Sequence, residues 1–269
     1  MEGNLFILCL ISRLAGDILK LSYFDLLSTA PVYIENIGVI SPTLRSISSI
    51  GYNMYQYYLT ILLMDFKSYM SMTGHEKQYD LLSDAPKSQI NIFELLISNK
   101  EICILLQDIL NFFIKEDVIY SHNHTGFLIQ REDKDIGIIT KENYTQICDL
   151  ICQRNCIKSN QEDDLTKVKS KKALEIMKKL QKGRNEKAKQ TKSDKNMELG
   201  NIISAVANKS YSLNILNIWD LTVFQVLDCF QRLSNNSIYE IQSMSVATWG
   251  DKDNHFDATA WFKKIETNN

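Results

Sequence analysis

The amino-acid sequence predicts a mainly α-helical protein in which two small helical domains are joined by a basic linker that is helical or disordered. Three observations lead to this fold class. Glycine and proline are sparse, at ten and three of 269 residues, which predicts few sharp turns. Apolar residues recur at steps of three and four, as on one face of a helix. One long Lys-rich run separates the apolar material into two parts.

The Lys-rich run extends from Lys167 to Lys195 and holds twelve lysines and arginines against three acidic residues, with no aromatic residue. This composition cannot bury enough apolar surface to offset the entropy of ordering it, so we interpret the run as a solvated linker. The alternative is a phosphate-binding arm, since clustered lysines neutralise phosphates. Its polyanion contacts would be Lys171, Lys172, Lys178 and Lys179. The lack of interleaved aromatic residues disfavours this alternative.

The run sets the predicted domain boundaries. We predict an N-terminal helical domain with small β elements over residues 1–158, a Lys-rich linker over 159–198 and a small helical domain over 199–269. The formal net charge is −2. Residues 167–195 contribute twelve minus three, or +9, which leaves −11 for the rest. The sequence therefore predicts acidic folded parts and a basic connection.

The cysteines and the hydropathy of the chain bear on its compartment. Six cysteines lack the paired spacing of a disulfide scaffold, which predicts a reducing compartment. No stretch approaches the roughly 20 apolar residues that cross a bilayer, so we expect no membrane association.

Helix signals dominate the N-terminal part. Ser41 before Pro42 predicts a helix start near Thr43, because serine caps orphan amides and proline suits the first helical position. Ser98 with Glu101 predicts a capping box. Helices are predicted over residues 5–11, 17–30, 43–70, 90–98 and 141–154, and a further helix runs from the capping box to residue 113. The helix over 43–70 should break at Gly51, and Thr140 should cap the helix over 141–154. Residues 73–89 have a loop composition.

Short β-rich runs and the C-terminal helices complete the prediction. A hairpin is expected from residues 32–34 and 39–40, with Gly38 supplying the positive φ of the turn. Residues 118–120, 127–130 and 136–139 predict a small meander. After the linker, helices are predicted over 199–206 and 216–233, and a helical turn at 261–265.

The candidate catalytic and metal-ligating residues have simpler structural explanations. Cys148, Cys152 and Cys156 share one helix face, but a single helix cannot supply four tetrahedral ligands, so we interpret them as buried structural cysteines. His122 and His124 could form half of a metal site, although no further ligand lies at a convincing spacing. The sequence has no G-x-S-x-G motif, glycine-rich phosphate loop or zincin motif. We therefore expect neither enzymatic activity nor a cofactor.

Two stretches together resemble a known group of proteins. One runs from Pro31 to Gly38 and on through Ser41–Arg45 to Gly51-Tyr52, Tyr55 and Tyr58-Leu59. The other runs from Ile218 to Gln225 through Asp228 and Phe230, and ends at Asp257 and Trp261–Lys263. The combination resembles small proteins encoded in the tail modules of tailed bacteriophages and prophages of Gram-positive hosts, which are taken to be tail assembly chaperones or minor tail proteins.

The resemblance implies a helical, non-enzymatic protein that holds an elongated tape-measure protein soluble while tube subunits polymerise around it. An aromatic groove on an acidic body can accept an amphipathic partner helix, and a flexible linker raises effective concentration. The partner-binding residues would be Tyr55, Tyr58, Trp219, Phe224 and Trp261. The tyrosine-rich stretch that holds the first two is more often core than a binding face. We expect the host cytoplasm as its location.

Two alternatives remain at this point. The protein could be a structural component of the tail or baseplate that stays in the virion, or it could bind nucleic acid through the Lys-rich linker, which we expect less. Oligomers are compatible with either reading. The partner's identity is open.

Overall fold

A computed structural model describes residues 19–82, 90–157, 195–252 and 255–264. The predicted helix at residues 5–11 and nearly all of the Lys-rich run lie outside these ranges. The described residues are mainly helical, with one sheet of two strands and one of three, which confirms the coarse fold class.

The chain forms two compact units. The first comprises Met1–Ser41 and Gln56–Arg154, and the second comprises Pro42–Tyr55 and Asn155–Asn269. Residues 42–55 therefore group with the C-terminal part of the chain. The domain boundaries predicted from the linker composition stay a prediction, because most of the linker lies outside the described residues.

The elements of the first unit alternate between helices and short antiparallel strands. They are α1 (Tyr23–Leu27), β1 (Val32–Ile34), β2 (Ile37–Val39), most of α3 (Tyr52–Leu62), α4 (Phe66–Met72), α5 (Glu76–Leu81), α6 (Ile92–Ser98), α7 (Lys100–Phe113), β3 (Asp117–Ser121), β4 (Gly126–Arg131), β5 (Lys134–Ile139) and α8 (Tyr144–Arg154).

Helix α7 forms the centre of the first unit's core. Its apolar residues recur at steps of three and four, and Leu106, Ile109, Leu110 and Phe113 are fully buried. Each such side chain contributes about 1.5 to 3 kcal/mol relative to leaving it exposed. Aromatic rings add edge contacts; those of Phe93 on α6 and of Phe127 on β4 are 6.1 Å apart at 70°. The sequence-predicted α7 stripe is confirmed.

The three-stranded meander has the order β3-β4-β5 with both pairs antiparallel. Side-chain amides occupy its two outer edges. Asn111 on α7 both donates to the carbonyl of Val118 at 2.8 Å and accepts from its N–H at 2.9 Å. On the other edge, Asn143 donates to the Ile138 carbonyl and Asn36 to the Ile136 carbonyl. These bonds satisfy backbone groups that an unpaired strand leaves open.

A buried arginine fixes the end of α8. Arg154 is almost completely buried, and its guanidinium donates to the Ser41 hydroxyl at 2.6 Å and to the carbonyls of Ala30 and Ser28 at 2.9 and 2.8 Å. Burial lowers the pKa of this guanidinium, and the carboxylate of Asp25 acts against that shift. A buried charge is tolerated where its donors are satisfied in this way.

The second unit contains α2 (Leu44–Ile50), the start of α3, α9 (Leu199–Lys209) and α10 (Val223–Trp249), with single 3₁₀ turns at Lys195–Met197, Ile218–Asp220 and Ala260–Phe262. Helix α10 has 27 residues and begins with a capping box between Thr222 and Gln225. Its buried residues, Val223, Phe224 and Val226, all lie in the first turns.

Several helix boundaries differ from the prediction because a neighbouring polar residue acts as the cap. Thr43, rather than Ser41, caps α2. Asn99, rather than Ser98, caps α7 by accepting from two amides. Asp65 starts a separate helix, α4, where one helix to residue 70 was predicted. Gly51 ends α2 at a φ of +87°, which confirms the predicted break.

Other predicted elements also change. The helix predicted over 17–30 is short, at Tyr23–Leu27, and the predicted loop at 73–89 contains α5. Helix α8 starts at Tyr144, after a turn rather than directly behind Thr140. The predicted helix at 216–233 starts at Val223 and runs on to Trp249.

The β-hairpin forms, but its turn differs from the prediction. The turn is Glu35-Asn36, and Glu35 takes the positive φ of 53°. Gly38 lies within β2 and pairs with Tyr33. A Cβ atom at this position would lie 2.9 Å from the Tyr33 ring and 3.0 Å from the Glu116 carboxylate. Close packing therefore explains this glycine.

Candidate protein-interaction surface

The second unit presents an apolar loop, Tyr211–Trp219, that we call the 211–219 loop. It connects α9 to the turn before α10. Tyr211 is fully exposed, Leu216 is 80% exposed and Ile215 is 54% exposed. Clustered apolar side chains in an exposed loop are a feature of interaction sites, whereas single exposed ones are ordinary.

Two asparagines hold the backbone of this loop in one conformation. The Asn214 side chain accepts from the N–H of Leu216 at 2.8 Å, and the Asn217 side chain accepts from the N–H of Asn214 at 2.7 Å. The Asn217 amide also donates to the Ser212 carbonyl at 3.1 Å. Asparagine favours such side-chain-to-backbone turns. These bonds shape the turn on which Ile215 and Leu216 are exposed, while Ile218 of the same loop is completely buried.

The residues that directly follow the loop, 220–222, are bonded to α2 and its N-cap within the same unit. Leu44 donates its N–H to the Leu221 carbonyl at 2.8 Å, and Thr43 and Thr222 form an isolated antiparallel bridge. The Arg45 guanidinium donates twice to one Asp220 oxygen, at 2.9 and 2.8 Å, although both side chains are largely exposed. An exposed pair of this kind contributes little energy. The backbone pairing is the firmer connection.

The predicted partner-binding residue Trp219 belongs to this surface. It is half-buried in the 3₁₀ turn, and its indole N–H donates to the Ile215 carbonyl at 2.8 Å. The ring thereby supports the exposed segment from one side. Tryptophan with one satisfied polar group is common at protein interfaces.

Trp261 occupies a different place in the second unit. It is 51% exposed and packs edge to face against Phe262, with ring centres 4.9 Å apart. The turn that carries both rings is closed by Asp257, whose carboxylate accepts from the Thr259 hydroxyl and pairs with Lys263. The pair is available at the surface.

The remaining predicted partner-binding residues are less accessible. Tyr55 is only 2% exposed, and its hydroxyl donates to Asn155 at 2.8 Å. Phe224 is 5% exposed in the first turn of α10. Neither side chain is presented to a partner in this structure. Tyr58 is half-buried and packs edge-on against Phe112 in the first unit, with ring centres 5.8 Å apart.

The cysteines only partly follow the prediction of burial. Cys148 and Cys152 are buried on α8, and burial raises the pKa of the Cys152 thiol to about 12, with Asp149 adding to the shift. Cys156 is exposed, contrary to the prediction, because α8 ends at Arg154 and Cys156 turns away with a φ of +58°.

The other predicted sites gain no ligand set. His122 and His124 lie exposed in the turn after β3, and His124 bonds to the Ser121 hydroxyl at 2.9 Å. Within the described ranges, no group of three or more His, Cys, Asp or Glu side chains is placed to hold a metal ion. The four lysines proposed as polyanion contacts, at 171, 172, 178 and 179, lie outside the described residues. None of the described helices is both long and apolar enough to span a membrane.

Of the 211–219 loop, the sequence predicts only Trp219 as a site residue and does not identify Tyr211, Ile215 or Leu216. The loop's apolar residues were assigned to helical or unassigned chain between two helices, and nothing in their spacing marks them as exposed. The available signal was local: Asn214 and Asn217 flank Ile215 and Leu216, and asparagine favours turns over helix interiors.

Comparison with known proteins adds one connection. Residues 188–266 match the family model described as YomV second domain, and this segment includes the 211–219 loop and all of α10. No curated protein and no solved structure matches the chain. YomV is encoded by a Bacillus prophage, so the match gives this segment a phage-related connection without assigning a role in the tail.

Proposed function

We propose that the protein is a non-enzymatic phage tail assembly protein that binds other tail proteins, the tape-measure or tube protein, in the host cytoplasm through the 211–219 loop. The observation that carries the proposal is a loop whose backbone is hydrogen-bonded to its own asparagines and which exposes Ile215 and Leu216. Its position inside the segment that matches a prophage protein supports it.

The chemistry of the loop suits an apolar face on a partner. Ile215, Leu216 and Tyr211 offer aliphatic and aromatic surface, and the hydrogen bonds within the loop fix the backbone before binding. Fixing a loop in advance reduces the entropy lost on association. A partner helix with apolar residues at steps of three and four could dock there.

The direct test uses the tape-measure and tube proteins of the same phage genome, each co-expressed with the full-length protein. The double variant Ile215→Ser/Leu216→Ser removes the apolar surface while leaving the asparagine bonds in place. Burial of one such side chain is worth about 1.5 to 3 kcal/mol, so binding to the true partner should weaken at least about tenfold. Leu81→Ser is the matched control, since Leu81 is equally exposed but lies on α5 of the other unit.

Unchanged co-purification by the double variant, with an intact circular dichroism spectrum and melting temperature, would refute the assignment of the loop. Failure of the wild-type protein to bind either tail protein would refute the proposed partner class. Ile215 and Leu216 are better probes than Phe224, because truncating a buried phenylalanine damages the core.

The second candidate is a structural component of the tail or baseplate. Both readings predict binding to tail proteins, but they differ in what the finished particle contains. Mass spectrometry of purified virions separates them: an assembly protein should be absent from the particle, and a structural component should be present at a fixed copy number.

A further inference from the structure

The C-terminal half of α10 has one face on which three apolar side chains are more than half exposed. Ile238 is 53% exposed, Ile241 is 65% exposed and Met244 is 64% exposed. These residues follow one another at steps of three, and Ser234, Ser245 and Thr248 continue the same face at steps of three and four. We call these six residues the α10 face. It is independent of the 211–219 loop.

The opposite side of the same helix is covered by the chain itself. Tyr239 packs against Phe256 with ring centres 5.6 Å apart, and Arg232 donates to the Lys263 carbonyl at 2.8 Å. The described residues 255–264, which come after α10, therefore fold back along this side of the helix. The contrast between the two sides is what marks the α10 face as unpartnered.

The charge of this helix half is informative about its partner. From Leu233 to Trp249 the only charged residue is Glu240. A solvated helix surface normally carries many more charges. A strongly charged partner would find no complementary charges here, whereas an identical uncharged surface meets almost no repulsion.

The order of residues on the face is nearly the same in both directions. Around Ile241, residues three away are Ile238 and Met244, and residues seven away are Ser234 and Thr248. Of the residues four away, Ser245 lies on the face, whereas Ser237 is half-buried and its hydroxyl accepts from Lys209 on α9. A two-fold interface brings residue i against residue j and j against i, so it requires this kind of self-complementary order. The serines are small enough to let two helices approach closely.

We propose that the protein pairs with a second copy of itself through the α10 face, with the two helices antiparallel and the two-fold axis at Ile241. Ile241 then meets its own counterpart, and Ile238 of each copy meets Met244 of the other. Glu240 lies opposite Gln242 rather than opposite the second Glu240.

The size of the face sets the expected strength. From Ser234 to Thr248 it spans fourteen residue steps, about 21 Å at a rise of about 1.5 Å per residue. One helix face of this length buries less than the roughly 800 Å² per partner of a standard interface. We therefore expect a dimer with a dissociation constant of order micromolar, in rapid exchange with monomer.

Sedimentation velocity on the full-length protein tests the pairing over concentrations from about 0.1 to about 100 µM, which bracket a Kd of about 1 µM, equivalent to a binding free energy of about −8 kcal/mol. The wild type should shift from monomer to dimer across this range. Ile241→Glu should remain monomeric, because two carboxylates would meet at the axis. Ile241→Glu mixed with differently tagged Ile241→Lys should restore dimers, all of them mixed. Leu216→Glu, in the 211–219 loop, should dimerise as the wild type does.

Disulfide trapping tests the direction of the helices. In the antiparallel arrangement the two copies of residue 238 are six residue steps apart, about 9 Å along the axis, beyond the range of about 7 Å for a disulfide. Ile238→Cys/Met244→Cys should therefore form disulfide-linked dimers under mild oxidation. Ile238→Cys alone should give no more linked dimer than the wild type, which carries the same native thiols.

A wild type that stays monomeric at every concentration, or an Ile241→Glu variant that dimerises unchanged, would overturn the proposal. Crosslinking by Ile238→Cys alone would overturn the antiparallel arrangement. Because Ile241 is exposed, Ile241→Glu should retain the wild-type circular dichroism spectrum. Binding to tail proteins through the 211–219 loop is measured separately and can fail or succeed independently.

Discussion

The carboxylate of Glu116 is buried and accepts a hydrogen bond of 2.5 Å from Arg131, whose side chain is half-exposed. Its second oxygen accepts the N–H of Gly38 at 2.8 Å. One acidic side chain thus connects the hairpin strand β2 to the last residue of β4. The hydrogen bond to Glu116 is also the largest cause of the raised pKa of Arg131.

Glu116→Ala should destabilise the protein by about 1 to 3 kcal/mol, because the buried Gly38 N–H loses its acceptor. The matched control is Glu94→Ala, which breaks the exposed pair with Lys141. An exposed pair is worth at most about 1 kcal/mol. Urea unfolding of both variants measures the difference, and equal losses would contradict the role given to Glu116.

Asn111→Ala should destabilise the meander and promote aggregation. The change removes both bonds to Val118 and leaves strand groups open at the sheet edge, at a cost of about 1 to 3 kcal/mol. Asn208→Ala is the control, since that exposed amide bonds to the Ser204 carbonyl of its own helix, α9. Chemical unfolding and light scattering should separate the two. Equal behaviour would show that the edge does not depend on Asn111.

Gly51→Ala and Gly200→Ala should have opposite effects. A Cβ atom at either position meets nothing within 4 Å, so no clash distinguishes them. Gly51 has a φ of +87°, where an L side chain costs about 1 to 3 kcal/mol. Gly200 lies in helix α9, where alanine is favoured by up to about 1 kcal/mol. Melting temperatures should fall for the first variant and rise for the second. A rise for both would contradict the backbone argument.

The turn that carries Trp261 should weaken in acid. Lys263 and the Thr259 hydroxyl hold the pKa of Asp257 well below its ordinary value. Because the folded-state pKa lies below the unfolded value of about 3.9, the stabilisation is complete above about pH 4 and is lost as the pH falls further. The melting-temperature gap between wild type and Asp257→Asn should therefore be largest near neutral pH and shrink below about pH 4. A gap that does not change with pH would exclude this linkage.

The sequence predicts the kind of most elements, with α5 in the predicted loop at 73–89 as an exception, and predicts their limits less well. The spacing in α7 marks a buried stripe, and the short β-rich runs at 118–120, 127–130 and 136–139 mark a meander. The helix caps were misplaced where two capping residues are adjacent, as with Ser98 and Asn99, because composition cannot say which side chain reaches the free amides. Only the folded backbone decides that.

Candidate partner-binding residues posed a harder problem. An aromatic residue at helical spacing is equally suited to a core and to an interface, so Tyr55 and Phe224 were grouped with Trp219 although they are buried. The exposed residues of the 211–219 loop and of the α10 face have ordinary apolar composition. Their availability results from what fails to pack against them, which is a property of the whole fold and is not encoded in local spacing.

The amide side chains along both edges of the meander limit how this protein can join a larger assembly. With the outward groups of Val118, Ile136 and Ile138 already engaged by asparagines, an incoming polypeptide has little backbone there to extend the sheet by strand addition. Strand addition at this meander would first have to displace those asparagines, so we expect a partner to contact this sheet through side chains rather than through its backbone.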